Sequence, residues 1–532
     1  MSSNVEVIQD DAALLAALGY KQELKRQFSF FSMAANAVIT ASAWTAMIGS
    51  IITSIYNGGA SGLLYAWIVD NFFFLFVALS MAELTSAMPT SAGVYHWSAA
   101  LAGPRFAKPI GFLTGYFNVL GYTLGLASLY SVAGLEITGL YQLWHPEYNS
   151  ERWQVFVVFV VLTWSAALFV QFGNKILPLY TKIGLFVNVG VWFVVVICLA
   201  ALPKTHSTNS FVWKEYTNMT GWPTGVTFIL GLVGPAFAIG TIDSSTHMAE
   251  EIPNPSKNIP KTILVQWFGS FSMGFIVLIA IFYSAGSLEA ILTSAPNYPV
   301  ASIMAQSFDN LNAAFGIGLI IFIASLTGQV GFQIVAVRSI WAFARDGALP
   351  FSNFFSKIDE RSVMPARANI LIAVITTALG ALYVASATAF NALVASYAVM
   401  STTSFGFAIG VHLFTGRKRV APGWFHLGDG FMGFFINGVA IVYILVSNVF
   451  FCLPLNRPPV TADTMNYTAL VSYGMAILVV IWWFIGGKKS YKGPKLSGET
   501  QEALEGMGMG MAPRPHGEQH VERGTVRLTE KS

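Results

Sequence analysis

Hydrophobic residues in this chain come in blocks of about 20, set apart by short polar or glycine-rich stretches. That length carries a helix across ~30 Å of hydrocarbon at a rise of ~1.5 Å per residue. Inside such a layer every backbone group must be bonded internally, which leaves helices or a closed barrel. Blocks such as 191–202 and 319–324 are apolar without alternation, so the pattern predicts helices. Twelve spans are expected, near 30–55, 62–85, 110–132, 153–171, 179–202, 225–246, 262–285, 313–337, 368–388, 390–414, 431–453 and 467–486. The run 368–414 is nearly uncharged and too long for one crossing, and a division around 385–390 produces the ninth and tenth spans.

Composition narrows this to an integral membrane protein. Of 532 residues, 55% are hydrophobic and 10% charged, against about 25% charged in a soluble domain. The lipid bilayer is therefore the expected surroundings, and the net charge of +3 gives no reason to expect a nucleic-acid partner. Cys198 and Cys452 lie inside apolar blocks and read as inert buried thiols. The first 27 residues are polar and mixed, so no cleavable signal is expected and the first span is the targeting signal. The domain reading is an N-terminal tail (1–27), a transmembrane domain (28–490) and a C-terminal tail (491–532). Both tails are expected to be weakly structured or disordered, apart from a modest amphipathic stretch at 12–24.

Charge sets the orientation. With both tails on the cytoplasmic side, the outer segments hold Arg152, Lys204, Lys214 and Arg457, and the inner segments hold the other 25 of the 29 Lys and Arg residues. The positive-inside rule therefore puts both termini in the cytoplasm. Two Asn-X-Ser/Thr sequons, at Asn218 and Asn466, fall on the expected outer side, where a glycan would have to be attached. Asn466 lies near the membrane.

A transporter must bind a polar solute within the membrane, and a broken helix frees backbone N–H and C=O groups for that purpose. Span one carries small and hydroxyl residues around one tryptophan, from Ile39-Thr40-Ala41-Ser42-Ala43-Trp44 through Thr45-Ala46-Met47-Ile48-Gly49. Span six carries Gly231, Gly234, Pro235, Gly240 and Asp243 within an apolar block. These are the places where a five-plus-five inverted repeat puts its breaks. Close helix packing through small residues is the other reading of both segments.

Three loop motifs carry a family resemblance. Glu83-Leu84-Thr85-Ser86-Ala87-Met88-Pro89-Thr90-Ser91-Ala92-Gly93-Val94-Tyr95-His96-Trp97 resembles the loop after helix two of amino acid–polyamine–organocation (APC) transporters. Thr246-His247-Met248-Ala249-Glu250-Glu251-Ile252-Pro253-Asn254-Pro255 is similar to their segment after helix six. Trp341-Ala342-Phe343-Ala344-Arg345-Asp346-Gly347-Ala348-Leu349-Pro350 is similar to their loop after helix eight. The resemblance covers about residues 28–490 and extends to the fungal branch that contains GABA and choline permeases. It implies an all-α inverted-repeat fold with broken helices one and six, two extra C-terminal helices, and a solute held among helices one, three, six, eight and ten. Where many relatives have a Gly-Ser/Thr-Gly-like first break, this chain has Trp44-Thr45-Ala46.

On that basis the candidate solute-binding residues are Ser42, Trp44, Thr45 and Ala46 in span one and Phe237, Ala238, Gly240 and Thr241 in span six. Trp44 and Phe237, with Tyr116 or Tyr122, could clasp an organic cation through their ring quadrupoles. Gln329, Gln333, Asn391, Ser396 and Tyr397 are polar candidates on spans eight and ten, and helix-to-helix hydrogen bonding is their other reading.

Ionisable groups inside spans are costly and need a reason. Asp243 follows the span-six break, and the resemblance implies a role in gating or coupling there; capping of local N–H groups is the alternative. Asp70 lies 13 residues before Glu83, which places it about 20 Å in, as a proton carrier or as a bond to a neighbouring helix. The resemblance implies coupling at Lys182, which could instead snorkel to the inner interface. Glu136 reads as interfacial. No metal or cofactor motif is visible, His96, His145, His206 and His412 have no ligand spacing, and an enzyme is not expected. The expected function is proton-coupled permeation of a small nitrogenous solute, an amino acid, GABA or choline, across the plasma membrane. Export, exchange or nutrient sensing on the same fold is the alternative.

Overall fold

Eleven helices among the described residues are long and apolar enough to cross a membrane, and the shorter apolar segment Thr224–Ile239 stands where the sixth of twelve is expected. The computed structural model describes residues 11–494 except 13, 17, 287–297, 363, 420, 421, 463 and 464, and leaves aside the side chains of 52–54, 387 and 389–391. Asn391 is therefore outside the described side chains, as is the C-terminal tail beyond residue 494. Span one is Phe30–Ala41 with Ala43–Ile55, span two Gly59–Ala87, span three Ala107–Trp144, span four Arg152–Phe172 and span five Leu177–Ala201. Span six is Thr224–Leu230 with Val233–Ile239, span seven Pro255–Ser284 and span eight Leu311–Arg345. Spans nine to twelve are Ala366–Ala385, Ala387–Phe414, Phe431–Phe451 and Thr468–Trp482. Spans nine and ten part at Ser386, an extended residue (φ −154°, ψ 120°).

The packing repeats itself when span n is exchanged for span n+5. Span two packs on seven, three on eight and four on nine. The contact of three with ten answers to that of eight with five, one with seven to six with two, and one with five to six with ten. The helix Val94–Ala102, packed on span three, has its counterpart in Pro299–Phe308, packed on span eight. Five spans per unit is an odd number, so the second unit enters the membrane from the opposite side, the inverted-repeat arrangement. A two-residue ribbon, Asn57–Gly58 against Thr217–Asn218, ties the segment after span one to the one before span six.

Residue size sets the layering. Span one is 89% buried, because alanine, serine and threonine let neighbouring backbones approach. Span twelve is 11% buried and turns Leu470, Ile477, Leu478 and Phe484 outward, as a lipid-facing helix would. The N-terminal segment is more ordered than its composition predicts. Leu18, Tyr20, Leu24 and Phe28 are buried, Gln22 Nε2 donates to the Glu250 carbonyl at 2.7 Å, and Phe28 N donates to the Glu251 carbonyl at 3.1 Å. Its apolar side chains gain burial that an isolated 17-residue stretch could not supply for itself.

Candidate transport site

Span one breaks at a single residue. Ser42 adopts a left-handed conformation (φ 39°, ψ 40°) between the two half-helices. Hydroxyls absorb the polar groups exposed there: Ser42 Oγ and Thr45 Oγ1 are 2.6 Å apart, and Thr45 donates to the Ser42 carbonyl at 2.9 Å. Asn188 of span five donates to Ser42 Oγ at 3.3 Å and accepts the Trp44 indole N–H at 2.8 Å. Gly328 of span eight fits against the break, where a Cβ would stand 2.6 Å from the Ile39 carbonyl. The break therefore precedes Trp44-Thr45-Ala46, which are helical.

Span six breaks over a longer stretch. Pro235 falls in the first turn of Val233–Ile239, where its missing N–H is not needed. After Ile239 the chain runs through consecutive turns at 240–245 and a 3-10 segment, Thr246–Glu251. Gly240 has no room for a side chain, since a Cβ would lie 2.8 Å from the Tyr397 hydroxyl and 3.0 Å from the Ala236 carbonyl.

Asp243 sits in that unwound stretch and is fully buried. Tyr122 donates to Oδ1 at 2.6 Å and Asn118 to Oδ2 at 2.8 Å, both from span three. His247 Nε2 lies 3.1 Å from Oδ2, and His247 Nδ1 lies 3.1 Å from the Ser91 carbonyl. Asn118 extends the network, accepting from Ser339 of span eight at 3.1 Å and reaching Ser404 of span ten at 3.4 Å. The partners of the carboxylate are the side chains of Asn118, Tyr122 and His247, not the local backbone N–H groups that a helix cap would engage. Beside it runs an aromatic row: Tyr122 and Phe332 rings are 5.4 Å apart, Phe332 and Tyr397 5.9 Å, and Tyr397 and Phe237 5.6 Å.

The three loop motifs meet on one side of this centre. Arg338 donates to Glu251 at 2.8 and 3.3 Å, and Arg345 to Glu250 at 3.1 and 3.3 Å, bridging span eight to the end of span six. Tyr20 and Tyr95 donate to Asp346 at 2.9 and 3.0 Å. Burial, and then the Asp346 charge, hold the Tyr20 hydroxyl well above its ordinary pKa, so it stays a donor. Burial, and then Arg345, push the His96 imidazole down to about 3, so it is neutral near pH 7.

A small enclosed space lies on the other side of the break. It has room for about one water, roughly 10 Å³. Ser42, Thr45, Ala46, Glu136, Ser325 and Gln329 are among its lining residues. Glu136 is 1% exposed, accepts from Ser325 Oγ at 3.0 Å and leaves Oε1 without a partner. Its position 18 residues beyond Asn118 on span three puts it about 27 Å away along the helix.

The expected residues thus divide. Ser42, Thr45 and Ala46 line the small cavity, Phe237 joins the aromatic row, and Gly240 packs under Tyr397. Ala238 is buried in the same half-helix. Trp44 turns to span five, and Thr241 is held by Gln266 of span seven, which donates to its carbonyl at 2.8 Å. Tyr116 bonds the Ala348 carbonyl, so Tyr122 is the span-three tyrosine at the centre. Gln333 bonds Asn369 and Tyr130 between helices, and Ser396 is buried. Asp70 meets Tyr443 of span eleven at 2.6 Å, away from both breaks. Lys182 is half-buried near the start of span five. Asn188 at the span-one break, Glu136 at the small cavity and His247 beside Asp243 stand at these places, which their sequence positions alone do not reveal. For His247 a signal existed, its four-residue spacing from Asp243 on a motif already singled out.

Two five-span repeats with polar breaks in spans one and six, followed by two further spans among the described residues, are the architecture of a multi-pass membrane protein. A family model described as "Amino acid permease" matches residues 26–484, and the chain belongs to that family, within the APC superfamily. It is similar to the choline transporter of Saccharomyces cerevisiae, 31% identical over 487 residues that cover 91% of this chain and 85% of that protein. It is also similar to amino-acid permease BAT1 of Arabidopsis thaliana, 30% identical, covering 92% and 98% of the two chains. An uncharacterized amino-acid permease of Schizosaccharomyces pombe is 29% identical, with 94% and 93% covered.

Proposed function

We propose that this permease imports a small nitrogenous solute, choline or an amino acid such as GABA, in symport with protons by alternating access. The observation that carries the reading is Asp243, a buried carboxylate in the break of span six that is bonded across to span three and, through Asn118, toward spans eight and ten. A group so placed senses both the unwound segment and the helices it must move against, and it can take up a proton or attract an ammonium group. The aromatic row of Tyr122, Phe332, Tyr397 and Phe237 suits the cationic end of either solute. The names of the relatives, a choline transporter and amino-acid permeases, favour the same two solute classes.

The Lys and Arg distribution supports cytoplasmic termini, and proton-driven uptake fits the plasma membrane. Asn218 is the better glycosylation candidate, being exposed on the short ribbon. Asn466 is only half-exposed, and the amides of both are hydrogen-bonded, Asn218 donating to the Trp222 carbonyl at 2.7 Å and Asn466 to the Phe451 and Leu453 carbonyls at 2.8 and 2.7 Å.

The test is an uptake panel of labelled choline, GABA, basic amino acids and spermidine in a host lacking its own permeases, run with and without a protonophore. Concentrative uptake of choline or an amino acid, abolished by the protonophore, is expected. Concentrative uptake that survives the protonophore overturns symport and leaves exchange.

A further inference from the structure

We infer that His247 and Asp243 together hold one exchangeable proton and that this pair is the proton site of the transport cycle. The inference rests on the symport reading above and assigns its proton to two side chains.

Hydrogen-bond valence carries it. His247 is fully buried, with Nδ1 at 3.1 Å from the Ser91 carbonyl and Nε2 at 3.1 Å from Asp243 Oδ2. A carbonyl oxygen only accepts, so Nδ1 bears a hydrogen. If the carboxylate is ionised it also only accepts, so Nε2 bears a hydrogen too and the ring is an imidazolium. If the ring is neutral, Nε2 is an acceptor and the carboxyl must donate. Both assignments put one proton more on the pair than a carboxylate and a neutral imidazole carry. Loss of that proton would leave one nitrogen lone pair facing a buried oxygen, the Asp243 carboxylate in one ring tautomer and the Ser91 carbonyl in the other, which is costly.

The surroundings leave this pair as its own charge balance. Tyr122 of span three bonds Asp243 and meets the imidazole edge-on at 5.4 Å, and Asn118 supplies the other donor. Tyr397 of span ten is a further titratable group close enough to feel the Asp243 charge. On the same segment, Glu250 and Glu251 are taken up by Arg345 and Arg338. Among the described residues no Lys or Arg forms an ion pair with Asp243. Ser91 belongs to the turn after span two, where Gly93 (φ 55°) lets the chain close on the histidine; a Cβ there would lie 3.4 Å from His247 Cε1. One proton therefore fastens the turn after span two to the broken end of span six, beside the bonds that Tyr122 and Asn118 of span three donate to the carboxylate. When it passes to water, a neutral imidazole and a carboxylate remain; the tautomer that carries its hydrogen on Nε2 keeps the bond to Asp243 and gives up the one to the Ser91 carbonyl, so the turn after span two is released from span six.

The experiment uses the full chain in proteoliposomes with labelled choline, and labelled GABA as the second probe, under an inward proton gradient and in gradient-free counterflow. For the wild type, the gradient is expected to raise accumulation about 10-fold or more. His247→Gln is expected to respond to the gradient less than about twofold relative to its own counterflow rate, and to lose the pH dependence that wild-type uptake shows. A His247→Gln protein with the wild-type gradient response and pH slope overturns the proposal while symport stands. A wild type that performs counterflow and ignores the gradient overturns the symport reading as well. Should the variant fail to insert, ¹⁵N NMR of histidine-labelled wild type reads the pair directly. A solvent-protected histidine whose ring protonation changes on loading the cycle with solute and protons is expected, and protected histidines that all keep one state overturn the proposal.

Discussion

Asp70 and Asp243 are both fully buried within the helical bundle, yet they are wired differently. Asp70 receives one donor, Tyr443 of the added eleventh span, and its Oδ2 has no partner. Its neighbour Asn71 bonds back to its own helix at the Trp67 carbonyl. Asp243 is held by Tyr122 and Asn118, faces His247, and reaches the eighth and tenth spans through Asn118. Burial is common to the two, so burial alone does not distinguish them. What distinguishes Asp243 is that its bonds cross from the broken helix to several others, so any movement of span six must make or break them.

The largest effect expected is on Asp243→Asn, which should cut uptake about 100-fold with protein still present at the cell surface. An equal loss in Asp70→Asn would break the comparison. Next comes Arg338→Met, which leaves Glu251 charged and unpaired in a buried place, and should destabilise the protein by about 3–5 kcal/mol in detergent melts. The double variant with Glu251→Met should recover most of that loss, because it removes both charges. Gly328→Ala forces a methyl against the Ile39 carbonyl and Ser42 Cβ, neither of which can swing aside, and should cost about 1–3 kcal/mol.

A smaller effect separates burial from coupling. His96 is buried and its pKa is pushed down to about 3, whereas in the unfolded chain it titrates near 6.5. Below about pH 6.5 the unfolded state binds a proton that the folded state refuses, so stability falls as pH drops from 6.5 toward 3. His96→Gln should flatten that part of the melting-temperature profile and leave the pH dependence of uptake intact. The smallest effect is expected for Asp70→Asn, with uptake within about threefold of wild type.

Much of the fold is legible in the sequence because hydrocarbon thickness fixes block length, and Gly, Pro and Asp inside a block report a break. Span six follows that logic directly. Span one does so less well: its break is held by Ser42, whose left-handed backbone depends on Thr45, on Asn188 from span five and on the space left by Gly328. Those are tertiary contacts with no local signature. The same reason applies to Glu136, whose burial against Ser325 of span eight is a tertiary contact that its place near the end of an apolar block does not report. Asp243 is visible as a charge in the wrong place, but its partners arrive from other spans and become visible only once these are packed.

The most direct test of the Asp243 centre is proton flux measured with solute flux in the same vesicles, wild type against Asp243→Asn. The wild type should acidify the lumen in step with solute entry, and Asp243→Asn should show no solute-dependent acidification. Solute entry with full acidification in Asp243→Asn would remove Asp243 from the mechanism.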